Sequence, residues 1–377
     1  MQQIDLIRGE ELTAALKLRW DQILRQDELL HSPFLRPEFA EAVAAVRDDV
    51  EIAVLKECGE IRGFFPFHRD HFNVGTPVGG HLSNQQALIT TTPDDWDIRK
   101  ILGGCNLSAW NFDNLVASQT AFENYHYFTE PCHFLDLSRG YDGYVEQRCQ
   151  CKAKHFMEIF RKERKLAREA GGLRFELHTD DVCVLQTLLD WKTNRCEHSG
   201  TFNLFAFNWT TALLGHILEN PSERFAGLLS VLYAGDEPAA ISYDLVSESA
   251  ADGWLIAFNP KFSKYSTGFI CALKKAKALA ARGIQKLYLG RGKGRYKELL
   301  SSSSVMLAEG TVDCNLVRGT GKRVWTKTRE WIRASPLRNP AKQIKRLLEP
   351  LESRRLSAVE TKLSTDHDTL TPGSQNQ

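Results

Sequence analysis

The sequence predicts an α/β protein with mixed sheets, divided into two domains. Residues 254–297 have the order strand, polar turn, helix, strand and glycine-rich turn, which makes a parallel crossover. The chain has 377 residues and 42% hydrophobic content, enough for two cores of ordinary size. We therefore expect one domain at residues 1–140 and a second at 141–330, followed by a basic segment and disordered tail at 331–377.

The first half shows strand patterns with few helices. Residues 36–46 have apolar side chains at helical spacing after a proline, and residues 51–58 and 61–68 alternate around a glycine turn as in a hairpin. Pro66 suggests an edge position for the second of these strands. Residues 76–89 form either the wall of a site or a plain connecting loop. With short strands at 115–118 and 134–137, the first half is expected to be an independent mixed domain.

The second half repeats a mixed order up to the crossover. We expect a long basic helix, a strand, two further helices, and a three-strand meander, at residues 144–170, 173–177, 182–197, 209–218, 228–233, 239–246 and 254–258. The basic side chains near the end of the long helix form either a solvated face or a contact for a polyanion.

The loop before the crossover helix has the features of an anion site. Ser266 and Thr267 offer N-cap hydroxyls, and Gly283 is placed to end the helix. The free N–H groups at residues 266–269, the helix dipole, and the side chains of Lys261 and Lys264 favour a phosphate or pyrophosphate. An ordinary capped surface helix is the alternative interpretation. Neither Gly-x-Gly-x-x-Gly nor a P-loop is present.

Composition narrows the class of protein. A net charge of +1 gives no global argument for a nucleic-acid or membrane partner. The nine cysteines include no Cys-x-x-Cys pair, which argues against a disulfide framework and against a zinc site. No signal peptide or membrane-spanning run is apparent. We therefore expect a soluble cytoplasmic protein that binds no metal.

Several motifs in this order carry a family resemblance. The motifs are Lys264-Tyr265-Ser266-Thr267-Gly268, Gly290-x-Gly-x-x-x-Tyr296-Lys297, Arg164-Lys165-Leu166, Trp191-Lys192 and the Gly79-Gly80 loop. With them, the chain from about residue 30 to 320 resembles the CelD/BcsL-type acetyltransferase-like proteins of the GNAT superfamily. These proteins are associated with bacterial cellulose and exopolysaccharide genes and are similar to the FemAB-like tandem-GNAT transferases. The sequence departs from the family pattern at Asn84, Tyr288 and Lys293-Gly294, where carboxylates are common.

The resemblance implies tandem GNAT-like domains and an acyl-CoA co-substrate such as acetyl-CoA. A backbone N–H around residues 257–259 would stabilise the oxyanion, and Tyr296 would protonate the departing thiolate. The alternative role for Tyr296 is that of a core aromatic. Asp244 and His198 are candidate bases, with a salt-bridged strand residue and a loop hydrogen-bonder as the respective alternatives. The residues implied for cofactor binding are Phe258, Asn259, Lys261, Lys264, Ser266, Thr267, Gly268 and Phe269.

Three functions follow from these observations. The first is acyl transfer from acyl-CoA to an amine or hydroxyl of a small molecule or saccharide, alongside polysaccharide biosynthesis proteins. The second is a FemAB-like transferase that uses aminoacyl-tRNA, for which the basic helix at residues 152–168 and the basic C-terminal stretch would contact phosphates. The third is a non-catalytic scaffold subunit, which the missing carboxylates favour.

Overall fold

Strand-rich structure fills the first half of the protein. The computed structural model describes residues 2–200 and 203–314. The elements up to residue 136 are β1 (Gln2–Arg8), α1 (Ala14–Leu24), α2 (Pro37–Ala44), β2 (Val50–Glu57), β3 (Glu60–Arg69), β4 (Val74–Pro77), β5 (Ile89–Thr90), α3 (Ile98–Gly104), β6 (Ala109–Val116) and β7 (His126–Asp136).

The second half alternates helices and strands in the expected order. Its elements are α4 (Gly140–Glu169), β8 (Leu173–Glu176), α5 (Val182–Ser199), α6 (Asn208–Glu219), β9 (Phe225–Ala234), β10 (Glu237–Ser247), β11 (Ala250–Phe258), α7 (Thr267–Ala281), β12 (Lys286–Arg291), α8 (Arg295–Leu300) and β13 (Ser303–Asp313). The basic segment and tail predicted for residues 331–377 lie outside the described residues.

The local predictions in the first half are confirmed except at one proline. β2 and β3 form the expected antiparallel hairpin, and the positive φ angles of Cys58 and Gly59 make its turn. The edge position expected from Pro66 is wrong, because β3 has β2 on one side and β4 and β5 on the other. β4 and β5 pair with other residues of β3, so the nitrogen of Pro66, which has no hydrogen to donate, faces neither of them.

One sheet runs through both halves. Its strand order is β1-β2-β3-β4-β6-β13-β7-β12-β11-β10-β9-β8, with β5 attached to β3. β13, from the end of the described chain, lies between β6 and β7, and β7 in turn pairs with β12. The first half is therefore not independent in its strand pairing. The division at residue 140 into two GNAT-like domains stays a prediction.

Helices cover both faces of this sheet. α1 and α2 of the first half and α5 and α6 of the second half share one apolar core, which contains Trp20, Phe39, Leu188, Leu213 and Trp254. On the opposite face, α4 and α7 cover the second half and α3 covers the first. Because the first core contains residues from both halves, the two halves are packed together on that face.

A close backbone approach accompanies the insertion of β13. A Cβ atom at Gly310 would lie 2.1 Å from the carbonyl oxygen of Tyr125 and 2.4 Å from the Phe112 ring. The register between β13 and both neighbouring strands also shifts next to this residue. The strand can therefore occupy this place only with glycine at position 310.

We expect Gly310→Ala to lower the free energy of unfolding by about 3 kcal/mol or more, because backbone must move to admit the methyl group. Gly103→Ala is the matched control, since a Cβ there meets nothing within 4 Å and lies in α3. The control should leave stability unchanged or raise it by up to about 1 kcal/mol. Urea unfolding measures both. Equal stability of the two variants would contradict the close approach.

Candidate active site

The two strands of the crossover separate partway along their length. β11 and β12 are parallel and pair only from Ala250 with Lys286 to Asp252 with Tyr288. β11 continues to pair with β10 as far as Phe258. The edge of β11 from Gly253 onwards is therefore open to the gap between the strands. A cleft of this kind, at the carboxyl ends of parallel strands and beside a helix N-terminus, is a common ligand site in α/β proteins.

Backbone donors point into this gap. The N–H of Asn259 donates to the carbonyl oxygen of Ala239 at 3.0 Å, so Asn259 and, two residues before it, Ala257 face β10. Alternation then directs the N–H groups of Ile256 and Phe258 to the open side. Of the residues 257–259 expected to stabilise an oxyanion, Phe258 alone presents its N–H to the gap.

The start of α7 has free donors, but not the predicted caps. Ser266 has a left-handed conformation (φ 59°) and its side chain makes no cap hydrogen bond. The Thr267 hydroxyl is buried without a hydrogen-bond partner in the described structure. The backbone N–H groups of Thr267 and Gly268 also have no partner among the described residues. The prediction of hydroxyl caps is wrong, because the left-handed Ser266 directs its hydroxyl away from the helix.

The cations near this loop differ from those predicted. Lys261 is exposed and pairs with Glu237 at 2.5 Å, and Lys264 lies 4.0 Å from Glu169. The Lys162 ammonium on α4 instead donates to the Ser266 hydroxyl at 3.0 Å. Sequence spacing could not show Lys162, because it is 104 residues away along the chain.

Tyr296 lies in the first turn of α8, close to the start of α7. Its ring packs edge-on against Phe269, with ring centroids 4.9 Å apart. Burial, followed by the nearby Cys271 and Asp244, raises the pKa of the Tyr296 hydroxyl well above its usual range. The hydroxyl therefore stays protonated and is able to donate a proton or a hydrogen bond. Tyr296 and Phe269 are the predicted residues that the fold places side by side.

Asp244 is buried in an ion pair. One carboxylate oxygen accepts from the Lys275 ammonium of α7 and the other accepts from the Ser242 hydroxyl at 2.9 Å. Burial raises the pKa of Asp244, and the Lys275 charge opposes that rise. Since both oxygens are already engaged, this geometry favours the salt-bridged alternative, in which Asp244 fixes α7 to β10.

His198 lies at the exposed end of α5. Its Nδ1 lies 2.6 Å from the carbonyl oxygen of Asn194 within the same helix. Arg195, three residues earlier, stacks on the Phe258 ring at the end of β11. α5 therefore reaches the mouth of the gap, while the role of His198 as a base stays a prediction.

Asp252 is the carboxylate that the sequence prediction missed. It is fully buried at the last residue pair before β11 and β12 part. Its Oδ1 accepts from the Asn84 side-chain amide at 2.7 Å, and its Oδ2 has no partner among the described residues. Burial raises the pKa of Asp252 to about 7, which the Asn84 hydrogen bond opposes. The predicted strands end at residue 246 and resume at 254, so Asp252 falls between them, whereas β11 begins at Ala250.

The loop from Gly79 to Gln86 brings Asn84 to this carboxylate. The Trp254 indole on β11 donates to the Leu82 carbonyl at 2.8 Å, and the Asn114 amide donates to the Ser83 carbonyl at 2.9 Å. Gly79 supplies a positive φ of 79° at the start of the loop. Of the two interpretations open for this loop, the contacts support the wall of a site.

The described residues contain neither a cluster of metal ligands nor a membrane-spanning helix. Within residues 2–200 and 203–314, no group of three or more His, Cys, Asp or Glu side chains is arranged to hold a metal ion. No helix in the same part of the chain is long and apolar enough to cross a membrane.

The buried carboxylate makes a prediction about stability. Because the folded-state pKa of Asp252 is above its unfolded value, the folded state binds the extra proton between about pH 4 and 7, and stability falls as the pH rises through this window. We expect the stability of Asp252→Asn, relative to that of the unmodified protein, to rise by on the order of 4 kcal/mol on going from pH 4 to pH 8. Chemical unfolding at both pH values measures this. A difference independent of pH would contradict the raised pKa.

One protein-family model matches part of the chain. Residues 154–298 match the model of the acetyltransferase (GNAT) domain. This segment contains β11, the loop after it, α7, β12 and Tyr296. No curated protein sequence matches the chain.

Solved structures agree with this match at the level of the fold. The structure of FemX is similar over 84% of this chain and 99% of its own, with 9% identity and a TM-score of 0.56. The C-terminal (DUF2156) domain of a putative lysylphosphatidylglycerol synthetase from Agrobacterium fabrum is similar over 85% of this chain and 97% of its own, with 14% identity and a TM-score of 0.50. Residues 154–298 thus match a GNAT acetyltransferase domain, and the chain has the mixed α/β fold of these solved structures.

Proposed function

We propose that the protein transfers an acyl group from acyl-CoA, such as acetyl-CoA, to an amine or hydroxyl acceptor. The observation that carries this proposal is the gap between β11 and β12, which opens beside the uncapped start of α7. Bound acyl-CoA would supply an activated thioester. The chain's own residues then need to hold it, polarise its carbonyl and move two protons.

The residues at the start of α7 fit a phosphate group. The backbone N–H groups of Thr267 and Gly268 and the Thr267 hydroxyl are donors without acceptors in the described structure. The Lys162 ammonium donates a hydrogen bond to the Ser266 hydroxyl beside them. A Cβ at Gly268 would meet nothing closer than the Phe258 ring at 3.8 Å, so the space in front of this residue is open. Free donors at a helix N-terminus favour an anion through the helix dipole.

The proton donor and the oxyanion donor lie on either side of the gap. The Phe258 N–H belongs to β11, and the Tyr296 hydroxyl follows β12. A thiol has a pKa of about 8.5 and is a stronger acid than Tyr296, so the tyrosine can protonate the departing sulfur only while it is held against the thiolate as the carbon–sulfur bond breaks. Tyr296 therefore serves the departing sulfur, as the sequence motif predicts.

The finer assignment is to the CelD/BcsL-type proteins, with an acceptor in cellulose or exopolysaccharide synthesis and an assembly with proteins of that pathway. It is supported by the motifs of the sequence and by no contact in the structure. Mass analysis of the products formed with saccharide and amino-sugar acceptors would test it directly.

A second candidate, aminoacyl transfer from a charged tRNA, is favoured by the surface of α4. Arg161, Arg164 and Arg168 are exposed there and pair with no carboxylate among the described residues. Free arginines on one helix suit phosphate contacts whose affinity falls steeply with salt. Salt-dependent tRNA binding without CoA binding would favour this candidate. A protein that binds neither would favour the scaffold interpretation.

The phosphate site makes the first functional prediction. We expect Gly268→Glu to abolish CoA binding, because the new carboxylate has room for its Cβ and then occupies and repels the phosphate position. Isothermal titration with CoA measures the affinity.

Gly215→Glu is the control for this experiment, since Gly215 lies inside α6 and also has open space around its Cβ position. The control should keep the affinity of the unmodified protein. Unchanged CoA affinity in a folded Gly268→Glu variant would remove the cofactor assignment.

The general-acid role makes the next prediction. We expect Tyr296→Phe to lower turnover 10²- to 10⁴-fold, with stability and CoA affinity nearly unchanged because the ring still packs on Phe269. Tyr233→Phe, on β9 next to the edge strand β8, is the matched control and should keep full turnover. The measurement is CoA release per folded molecule at saturating acetyl-CoA. Full turnover by Tyr296→Phe would assign the proton transfer to a bound water instead.

A further inference from the structure

We propose that Asp252 is the general base that takes the proton from the acceptor and that Asn84 positions it. This inference rests on the proposed acyltransferase function. It adds the residue that acts as the base and the side from which the acceptor enters. None of the bases predicted from the sequence fills this place.

An unsatisfied polar group marks the place where the acceptor would bind. Asp252 Oδ2 is fully buried without a partner in the described structure. Buried polar atoms normally have partners, so the open Asp252 oxygen indicates a polar group that binds against it.

The acceptor can reach this place from the side of the first half. Asn84, which contacts Asp252 directly, is partly exposed, and so are Gly253 and Lys297. Lys297 is close enough to lower the pKa of Asp252, and its Nζ would lie 3.5 Å from a Cβ at Gly290. A short polar route therefore runs past Asn84 and Lys297 to the carboxylate.

The two proton-transferring groups lie on opposite faces of the sheet. A side chain at Gly253 would point towards Asp244 and Lys275 beneath α7, so Asp252 points to the opposite face, where it meets Asn84. Tyr296 packs on Phe269 and lies near Cys271, on the α7 face. The attacking and leaving groups at a carbonyl carbon need separate proton carriers, and this arrangement supplies one on each side.

Asp252 and Tyr296 together account for the protons and bonds of the acyl transfer. The acceptor ammonium gives one proton to Asp252 Oδ2, and its nitrogen forms a bond to the thioester carbonyl carbon. The carbon–sulfur bond then breaks and the sulfur takes the Tyr296 proton. The second proton on nitrogen leaves to solvent, from which Tyr296 regains its own, and Asp252 releases its proton there. The products are an amide and free CoA.

Acid strengths favour an amine as the acceptor. An alkylammonium has a pKa near 10.4 and burial lowers it, so its proton can pass to a carboxylate whose pKa is about 7. Water, with a pKa of 15.7, represents an unactivated hydroxyl and is a far weaker acid. A neutralised amine is also a strong nucleophile without further activation.

Several charged or titratable groups face Asp252 and affect its pKa. They are Asp244 on β10, Lys275 on α7, Lys297 on α8, Cys132 on β7 and Tyr288 on β12. Asp244 raises the pKa of Asp252, while Lys275 and Lys297 lower it. The Asn84 amide also favours the ionised form. Loss of that hydrogen bond alone should therefore raise the pKa of Asp252.

The experiment follows CoA release from acetyl-CoA across pH 5 to 9, with ethylamine and lysine as amine probes and ethanol and glycerol as hydroxyl probes. We expect turnover with the amines and a rise in kcat/KM through about pH 7 as Asp252 ionises. Asp252→Asn should lower kcat/KM 10²- to 10⁴-fold and remove this rise. Asn84→Ala should keep activity at high pH and move the rise to higher pH, whereas Asn84→Ser, which retains a donor, should move it less.

The outcomes separate the two proposals. No CoA release by the unmodified protein with any probe, together with no CoA binding, would overturn the acyltransferase function and this inference with it. Release that persists in Asp252→Asn with the same pH dependence would overturn only the base. Turnover with the alcohols and not with the amines would overturn the proton transfer from an ammonium to Asp252, and an unmoved pH profile in Asn84→Ala would overturn the positioning role.

Discussion

The function proposed for this protein depends on where β12 stops pairing with β11. If the two strands paired along their full length, the N–H groups of Ile256 and Phe258 would be hydrogen-bonded to β12. Asp252, at the last pair, would then be an ordinary core residue. The gap begins where the pairing of β12 with β7, a strand from the first half, shifts register between Tyr288 and Arg291 and where Gly290 has a positive φ of 79°. The first half therefore shapes the site as well as covering it.

The other requirement is that α7 stays in place beside the gap. α7 is held by the buried pair of Lys275 and Asp244, which Ser242 completes through hydrogen bonds to both. Removing one partner of such a pair leaves an uncompensated buried charge and is strongly destabilising. The same pair also adjusts the potential at Asp252, since Asp244 raises its pKa and Lys275 lowers it. A structural ion pair and a candidate catalytic carboxylate are thus coupled electrostatically.

The sequence patterns predict elements that form within a few residues, but they do not predict contacts between distant segments. The hairpin of β2 and β3, the meander from β9 to β11, α7 and its end at Gly283 follow from patterns within a few residues, and all are confirmed. The continuous sheet was missed, because the insertion of β13 between β6 and β7 joins segments nearly 200 residues apart. Lys162 and Asn84 contact their partners across separations of 104 and 168 residues. Asp252 was missed for a local reason, since Ala-Ala-Asp-Gly has the composition of a turn.

The burial of Asp252 is itself an argument for function. A fully buried carboxylate whose second oxygen has no partner among the described residues lowers stability at neutral pH, because its charged form is poorly solvated. An apolar or amide side chain in the same strand would avoid this cost. Asp244, its buried neighbour, is by contrast fully paired. A stable fold needs only paired buried carboxylates such as Asp244. A carboxylate kept unpaired at the point where two strands part has a physical reason to be there if it exchanges a proton with a bound group.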